Sequence, residues 1–417
     1  MKLRINKTLV DGGLFSIFSF VNQGISFLLL IILAKYIRPA EYGSLSLYYT
    51  VSSFVSYVIA LSTTGYVSVA YFQKSREEFK KDFSTIISIT STVFTFLMLV
   101  VLFFSNKFGA ALSLPRELLY AVLFNSFFYV FFEIYLNYVR IQKKVGLYGL
   151  LSCSFAVLNF VLSLLFVIKY DMNWQGRIYA QLGCSISFGL LSIFVFLKYR
   201  LYDFRGLSWT RFKFILLWGI PLIPHLSALW IRQGADRYII NDFYDTSNVG
   251  LFSFALNLTN VIITIGSAFN ATNSVDIFHE LSLDKPVIEK KKKLRKQSKL
   301  ILLICLVTTI VIVAGVSVAV PWLLPEYSPS LGYFYILAIY GFIQCIYFLL
   351  CNYLFYYNKN KEIMYITFST AILHLGLSLI FTRYSLYLTC IIYVLIQALI
   401  VLLVYFRSRK AINENLV

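Results

Sequence analysis

Apolar runs of about 20 residues recur along the whole chain, parted by short polar stretches. A helix rises 1.5 Å per residue, so about 20 apolar residues cross the ~30 Å hydrocarbon core of a bilayer. Twelve runs reach that length: 12–34, 44–72, 83–104, 117–139, 146–168, 177–199, 212–232, 247–273, 298–320, 331–356, 363–382 and 385–406. The second is longer than a crossing needs and is expected to tilt or overhang. The pattern predicts an all-α polytopic membrane protein with about 12 transmembrane helices. The longest connection, 274–297, carries EKKKKLRK (289–296) and reads as a solvated orienting loop, with contact to lipid headgroups as the alternative. The start, MKLRINK, is basic, but no small-residue cleavage site follows the first run. That run is expected to anchor rather than to be removed as a signal peptide.

Composition agrees: 59% of the 417 residues are hydrophobic and 13% charged, about half the charged share of a soluble domain. The net charge of +18 would suit nucleic acid, but its distribution does not. Lys and Arg number 28 on the side of the N-terminus and 8 on the other, with Arg232 inside a run. Such a bias orients membrane proteins, with the basic side cytoplasmic. Both termini are therefore expected in the cytoplasm, with no nucleic-acid partner and some attraction to anionic membrane lipids. The six cysteines all fall in apolar runs, without metal-ligand or disulfide-framework spacing.

The two halves resemble each other. EYGSLSLYYT (41–50) follows the first run and NVGLFSFALN (248–257) the seventh, with Gly43 matched to Gly250 at an offset of 207. LNYVRIQKK (136–144) matches CNYLFYYNK (351–359), with Asn137 on Asn352 and Ser163 on Ser378 at an offset of 215. Each half holds six spans starting on the same side. The expected architecture is two six-helix lobes, 1–207 and 208–417, related by a pseudo-two-fold axis along the membrane normal. Transporters of this build hold substrate between their halves.

No enzyme motif is present, nor a metal-binding or nucleotide-binding one, so no cofactor is expected. Candidate chemistry lies in polar groups inside the bilayer, where they are costly. In IPLIPHLSALWIRQGADRYI (220–239), His225, Leu229, Arg232 and Asp236 share one helix face. Counting from Phe214, His225 falls near the midplane and Arg232 near the outer edge. Arg232 has two readings. It pairs with Asp236 or snorkels to the interface, or it faces a cavity and holds an anion in its planar fork. Asp236 and Arg237 suit the turn to the eighth span. His374 lies near the midplane of the eleventh span and Asn159 at the repeat-equivalent depth of the fifth. Both histidines could titrate during transport or simply join helices by hydrogen bonds. Asn22 and Gln23 in the first span, and Asn257, Asn260, Asn270 and Asn273 in the eighth, would form an amide wall suited to a sugar. Glu133 and Arg140, in and just beyond the fourth span, suit a structural pair.

The segment AKYIRPAEYG (34–43) resembles the "AR-x-L-G-P-x-x-Y-G" stretch of polysaccharide flippases, with Lys35 for Arg and Ile37-Arg38 for Leu-Gly. GIPLIPHLSALWIRQGADRYII (219–240) resembles their "G-x-P-L-I-P" helix ending in "D-R". NVGLFSFA (248–255) is similar to "x-V-G-x-Y-S-x-A", with Phe252 for Tyr, and WQGRIYAQLGCSI (174–186) resembles the start of their sixth helix. The chain thus resembles the Wzx-type polysaccharide transporters of the multidrug/oligosaccharidyl-lipid/polysaccharide exporter superfamily. The resemblance covers essentially the whole chain. It implies a non-enzymatic flippase of the bacterial inner membrane, working by alternating access. The cargo would be a polyprenyl-diphosphate-linked oligosaccharide of O-antigen, capsule or exopolysaccharide. A polymerase and chain-length proteins are the implied partners, and H⁺ or Na⁺ the candidate coupling ion. The first span has no internal Arg, so a cavity cation from that helix is missing. A cation-coupled multidrug antiporter is the alternative, with Glu133 as its main buried acid. A membrane enzyme such as a polymerase would need a sizeable outer loop, which the chain lacks.

Overall fold

The computed structural model describes residues 7–61, 63–202, 206–220, 227–228, 230–283 and 286–415, and among these it is all helix and turn. The helices are α1 (Lys7–Ala34), α2 (Pro39–Ala60), α3 (Tyr66–Gln73), α4 (Arg76–Leu112), α5 (Arg116–Ile141), α6 (Val145–Leu164), α7 (Asn173–Lys198) and α8 (Trp209–Gly219), then α9 (Asp236–Phe243), α10 (Thr246–Ser282), α11 (Val287–Leu323), α12 (Ser330–Tyr356), α13 (Asn360–Phe381) and α14 (Leu386–Asn415). Ten continuous helices are long and apolar enough to cross a membrane. They coincide with all the expected spans except the second and the seventh. The second is α2 and α3, a pair bent by 57°. Leu61 at the break has φ 42°, and the Thr63 hydroxyl donates to the Ala60 carbonyl at 2.7 Å. The seventh runs through residues outside the described set.

Compact packing groups Met1–Ile37 with Ser44–Trp230, and Arg38–Gly43 with Ile231–Val417. In the first unit α5 packs on α4, α6 and α7, and α1 lies along α6. Its core is aromatic, with Phe79, Phe83, Phe131, Phe132 and Phe196 all buried. A buried amide and hydroxyl network joins α2, α5 and α7. Asn125 Nδ2 donates to Ser52 Oγ at 2.9 Å, and Ser185 Oγ donates to Asn125 Oδ1 at 2.8 Å. Inside a bilayer such groups must satisfy one another.

In the second unit α12 packs on α10, α11 and α14, and α13 packs on α14. The first turn of α2 belongs here. Pro39 opens that helix, and Glu41 reaches back to the Arg38 backbone N–H at 3.0 Å, a capping arrangement that satisfies an orphan donor. Gly43 lies against α10 so closely that a Cβ there would sit 1.8 Å from the Thr246 carbonyl oxygen. A Cβ on Gly250 would sit 1.8 Å from the Pro39 carbonyl oxygen. The contact is reciprocal: residue for residue, each segment does to the other what is done to it. That is the mark of a local two-fold, and it falls on the two glycines that the internal repeat aligns.

The second repeat match is also visible in helix ends. α5 stops at Ile141 and α6 starts at Val145; α12 stops at Tyr356 and α13 starts at Asn360. Lys143 and Asn358 in the two turns both have φ 56°. Each of these pairs is 215 apart.

The expected loop 274–297 is not a loop. α10 continues to Ser282 and α11 begins at Val287, so the charge run is helical. Lys, Glu, Arg and Leu are strong helix formers, and hydropathy marks only the part of a helix that meets lipid. Each helix has 37 residues, or about 55 Å, well beyond the ~30 Å core. The overhanging ends clasp each other. Lys293 Nζ meets Glu280 Oε2 at 2.5 Å, Gln297 donates to Asp276 at 3.0 Å, and Lys290 Nζ donates to the Leu281 carbonyl at 3.2 Å. Ile277, Leu281 and Leu294 pack between them.

Candidate functional site

Each unit, among its described residues, brings an arginine and an amide together among apolar helices. In the second unit the chain passes through a π-helical segment, Ile231–Ala235, before α9. Hydrogen bonding from i to i+5 adds a residue to the turn, and such segments are frequent at functional sites. It also removes the α-helical register that would set Arg232 beside Asp236. The expected Arg232–Asp236 pair does not form. Arg232 Nη2 donates to Gln397 Oε1 on α14. Asp236 Oδ2 lies 2.7 Å from His374 Nε2 on α13, the two side chains being 1% and 2% exposed. The Tyr393 ring meets the imidazole edge-on at 4.8 Å between centroids. Arg237 Nε donates to Ser253 Oγ at 2.9 Å, and its Nη1 to the Gln233 carbonyl. Ser378 Oγ, one turn beyond His374, and Gln397 Nε2 are buried without a partner. Such atoms are costly to leave unmade.

In the first unit Arg177 sits in the first turns of α7. Its Nη1 donates to Asn159 Oδ1 and, at 3.2 Å, to Ser163 Oγ, both on α6. The guanidinium lies over the Tyr49 ring, 5.5 Å from its centroid, a cation–π contact. The Tyr49 hydroxyl donates to Gln181 Oε1 at 3.1 Å. Arg177, Gln181 and Gln397 are absent from the sequence-derived candidates. Arg177 stands at the edge of its apolar run and counts there as a loop charge. Its proximity to Asn159, eighteen positions earlier, is a tertiary fact.

The other candidates are dispersed. Asn257 Nδ2 donates to the Tyr42 hydroxyl at 2.7 Å, and Asn270 Oδ1 accepts from Asn352 Nδ2 at 2.8 Å. Gln23 and Asn260 are exposed. Asn22 Oδ1 and both side-chain polar atoms of Asn273 are buried without a partner. Lys35 and Arg38 are exposed in the α1–α2 turn. Glu133 and Arg140 do not pair with each other. Arg140 Nη2 donates to Asn137 Oδ1 at 2.9 Å, while the Tyr129 hydroxyl lies beside the Glu133 carboxylate. Seven residues put the two charges nearly two turns apart, about 10 Å along one helix. His225 lies outside the described residues, as do Pro221, Pro224 and Leu229.

A chemical contrast separates these arginines from Arg211. That residue, on α8, meets Glu78 Oε2 at 2.6 Å and Asp82 Oδ1 at 2.7 Å. The Glu78 bond, reinforced by Asp82, holds its pKa above the usual arginine value. Its charge is neutralised. Arg177, Arg232 and Arg237 have only neutral acceptors, and no ion pair to a carboxylate among the described residues. Their forks are oriented while their charge stays available.

Residues 9–275 match the family described as Polysaccharide biosynthesis protein. A Haemophilus influenzae protein of the Lsg locus is 25% identical over 86% of this chain and 87% of its own. Among solved structures, the lipid II flippase MurJ in an inward closed conformation aligns with a TM-score of 0.73 at 18% identity, covering 96% of this chain and 89% of that one. A multidrug resistance MATE family transporter in its inward-facing conformation aligns at 0.70 with 12% identity, covering 94% and 95%. The fold expected from the spans and the repeat is the fold of these transporters.

Proposed function

We propose that this chain, which belongs to the polysaccharide biosynthesis protein family, is a flippase for a polyprenyl-diphosphate-linked oligosaccharide. It would carry the glycan of an O-antigen, capsule or exopolysaccharide unit from the inner to the outer leaflet of a bacterial inner membrane. The fold shared with a lipid II flippase supports the reading. The observation that carries it is that each unit, taken by itself, holds an arginine among apolar helices, Arg177 in one and Arg232 in the other, oriented by a neutral amide. A diphosphate needs charge and a two-pronged donor, and a guanidinium supplies both. A sugar needs donors and acceptors, which Gln23, Asn22 and Asn260 offer. Residues 1–207 and 208–417 would be the lobes that alternate access. A polymerase and chain-length proteins would receive the exported unit.

Coupling to an ion, H⁺ or Na⁺, would act at Asp236–His374. A buried carboxylate–imidazole pair gains or loses a charge with one proton. An antiporter for cationic drugs would rest instead on Glu133, beside Tyr129 in α5. Deleting the gene separates the readings. Lipid-linked oligosaccharide accumulating in the cytoplasmic leaflet, with surface glycan lost, is the expected outcome. Complete units at normal level in the outer leaflet would defeat the flippase reading.

A further inference from the structure

The overhanging end of α11 has two faces. Lys290, Lys293, Leu294 and Gln297 turn to α10 and are occupied there. Lys291, Lys292, Arg295, Lys296 and Lys299 are exposed and make no ion pair among the described residues. At 3.6 residues per turn these five fall within an arc of roughly 140° on the opposite face. Leu303, Leu306 and Ile310, all exposed, lie on the same arc in the apolar part of the helix. Side chains exposed on the apolar part of a crossing helix are the ones that meet acyl chains. The cationic stripe is therefore the direct continuation of the lipid-facing surface. Lys299 and Lys296 stand about 6 and 10 Å beyond Leu303 along the axis, at and just past the headgroup layer. Arg295 lies about 1.5 Å beyond Lys296, and Lys292 and Lys291 just over one turn beyond it, within the ~8 Å over which a membrane's field persists in physiological salt.

We propose that this face of α11 binds the anionic phospholipid headgroups of the adjoining leaflet. Charge complementarity selects the partner, and the continuous lipid-facing arc selects a membrane surface over a soluble anion. The fixed helix spaces the cations at one-turn intervals, and the contacts to α10 keep the stripe turned outward. A flexible loop of the same composition would do neither. The site is separate from the transport clusters and does not depend on the cargo assigned above.

The test measures bound lipid, not transport. Wild type is extracted from membranes of mixed phosphatidylglycerol and phosphatidylethanolamine, and co-purifying lipids are quantified by mass spectrometry at low and high salt. Three variants accompany it, two of them neutralised to glutamine. One carries Lys291→Gln, Lys292→Gln, Arg295→Gln, Lys296→Gln and Lys299→Gln. The other removes exposed charges elsewhere on the same side, by Lys143→Gln, Lys144→Gln, Lys198→Gln and Arg200→Gln. Wild type and the second variant are expected to retain several-fold more phosphatidylglycerol than the first, with the excess lost at high salt. A variant with the four stripe lysines changed to arginine should retain it as well. Equal retention by all proteins, or equal loss in the second variant, would overturn the proposal. So would enrichment of polyprenyl diphosphate lipids without phosphatidylglycerol.

Discussion

An arginine in a membrane is costly, so what holds it tells what it is for. Arg211 holds a structure together: Asp82, its partner, is buried, and removing the arginine strands that carboxylate. Arg211→Ala is expected to cost about 1–3 kcal/mol, reduced from a fully buried pair because Arg211 is partly exposed. A drop in the thermal midpoint in detergent would register it. Arg177 and Arg232 strand nothing charged when removed. Arg232→Ala and Arg177→Ala leave only a neutral amide oxygen unpaired, so they should lower that midpoint no more than Arg211→Ala does, and slow glycan export about tenfold or more, the effect of losing one charge-assisted contact of ~1.5–3 kcal/mol. Lysine at either site should retain part of the rate, keeping charge without the fork. Full export in all four variants would leave both arginines without a role in the cargo site. His374→Ala is the opposite case, because it takes from the buried Asp236 its imidazole partner. A loss of about 3–5 kcal/mol is expected, largely recovered when Asp236→Asn is added. Equal loss in single and double variants would show that packing of the imidazole, not the charge, is what matters there.

At the scale of elements, Gly43 and Gly250 are the positions where backbone meets backbone. Neither segment can yield to a Cβ placed 1.8 Å from a carbonyl oxygen. Gly43→Ala and Gly250→Ala are each expected to destabilise by about 1–3 kcal/mol, and by similar amounts, because the contact is reciprocal. Gly315→Ala, on α11 with open space at its Cβ, should show no loss. Thermal unfolding of the three variants checks this, and a neutral Gly43→Ala would mean that the two segments are not held together. The glycine pair was legible in the sequence because an internal repeat needs no energetics to be seen. So were ten of the spans, since lipid demands long apolar runs. The break after Leu61 was not: the Ser, Thr and Gly that follow it favour a turn over helix, but the apolar runs on either side were read through them as one span. The α10–α11 overhang was missed for the opposite reason, charged residues being read as loop although they favour helix. The π segment at 231–235 defeats any argument from a period of 3.6. It is why a four-residue spacing mispaired Arg232 with Asp236, whose partners lie 165 and 138 residues away.

For the whole molecule, if the cargo is the diphosphate-linked glycan proposed above, the question is what drives it outward. A diphosphate headgroup carries about two negative charges. Moving them from a negative interior to a positive exterior is downhill by roughly 4–5 kcal/mol at 100 mV. The arginines do not alter that sum over a cycle. If they neutralise the cargo, the loaded step moves little net charge, and the empty return carries positive charge inward, again downhill. The membrane potential alone would then suffice, with Asp236–His374 serving only to hold α13 to α9. If the pair is a coupling site, the proton gradient must matter as well. The two cases separate in vesicles loaded with lipid-linked oligosaccharide. Collapsing the potential with valinomycin and potassium should slow export in the wild type. Collapsing the pH gradient alone with nigericin should slow it further only if Asp236–His374 exchanges protons, and that second effect should vanish in the His374→Ala, Asp236→Asn double variant. Export indifferent to both ionophores would remove the charge argument and leave the glycan gradient as the driving force.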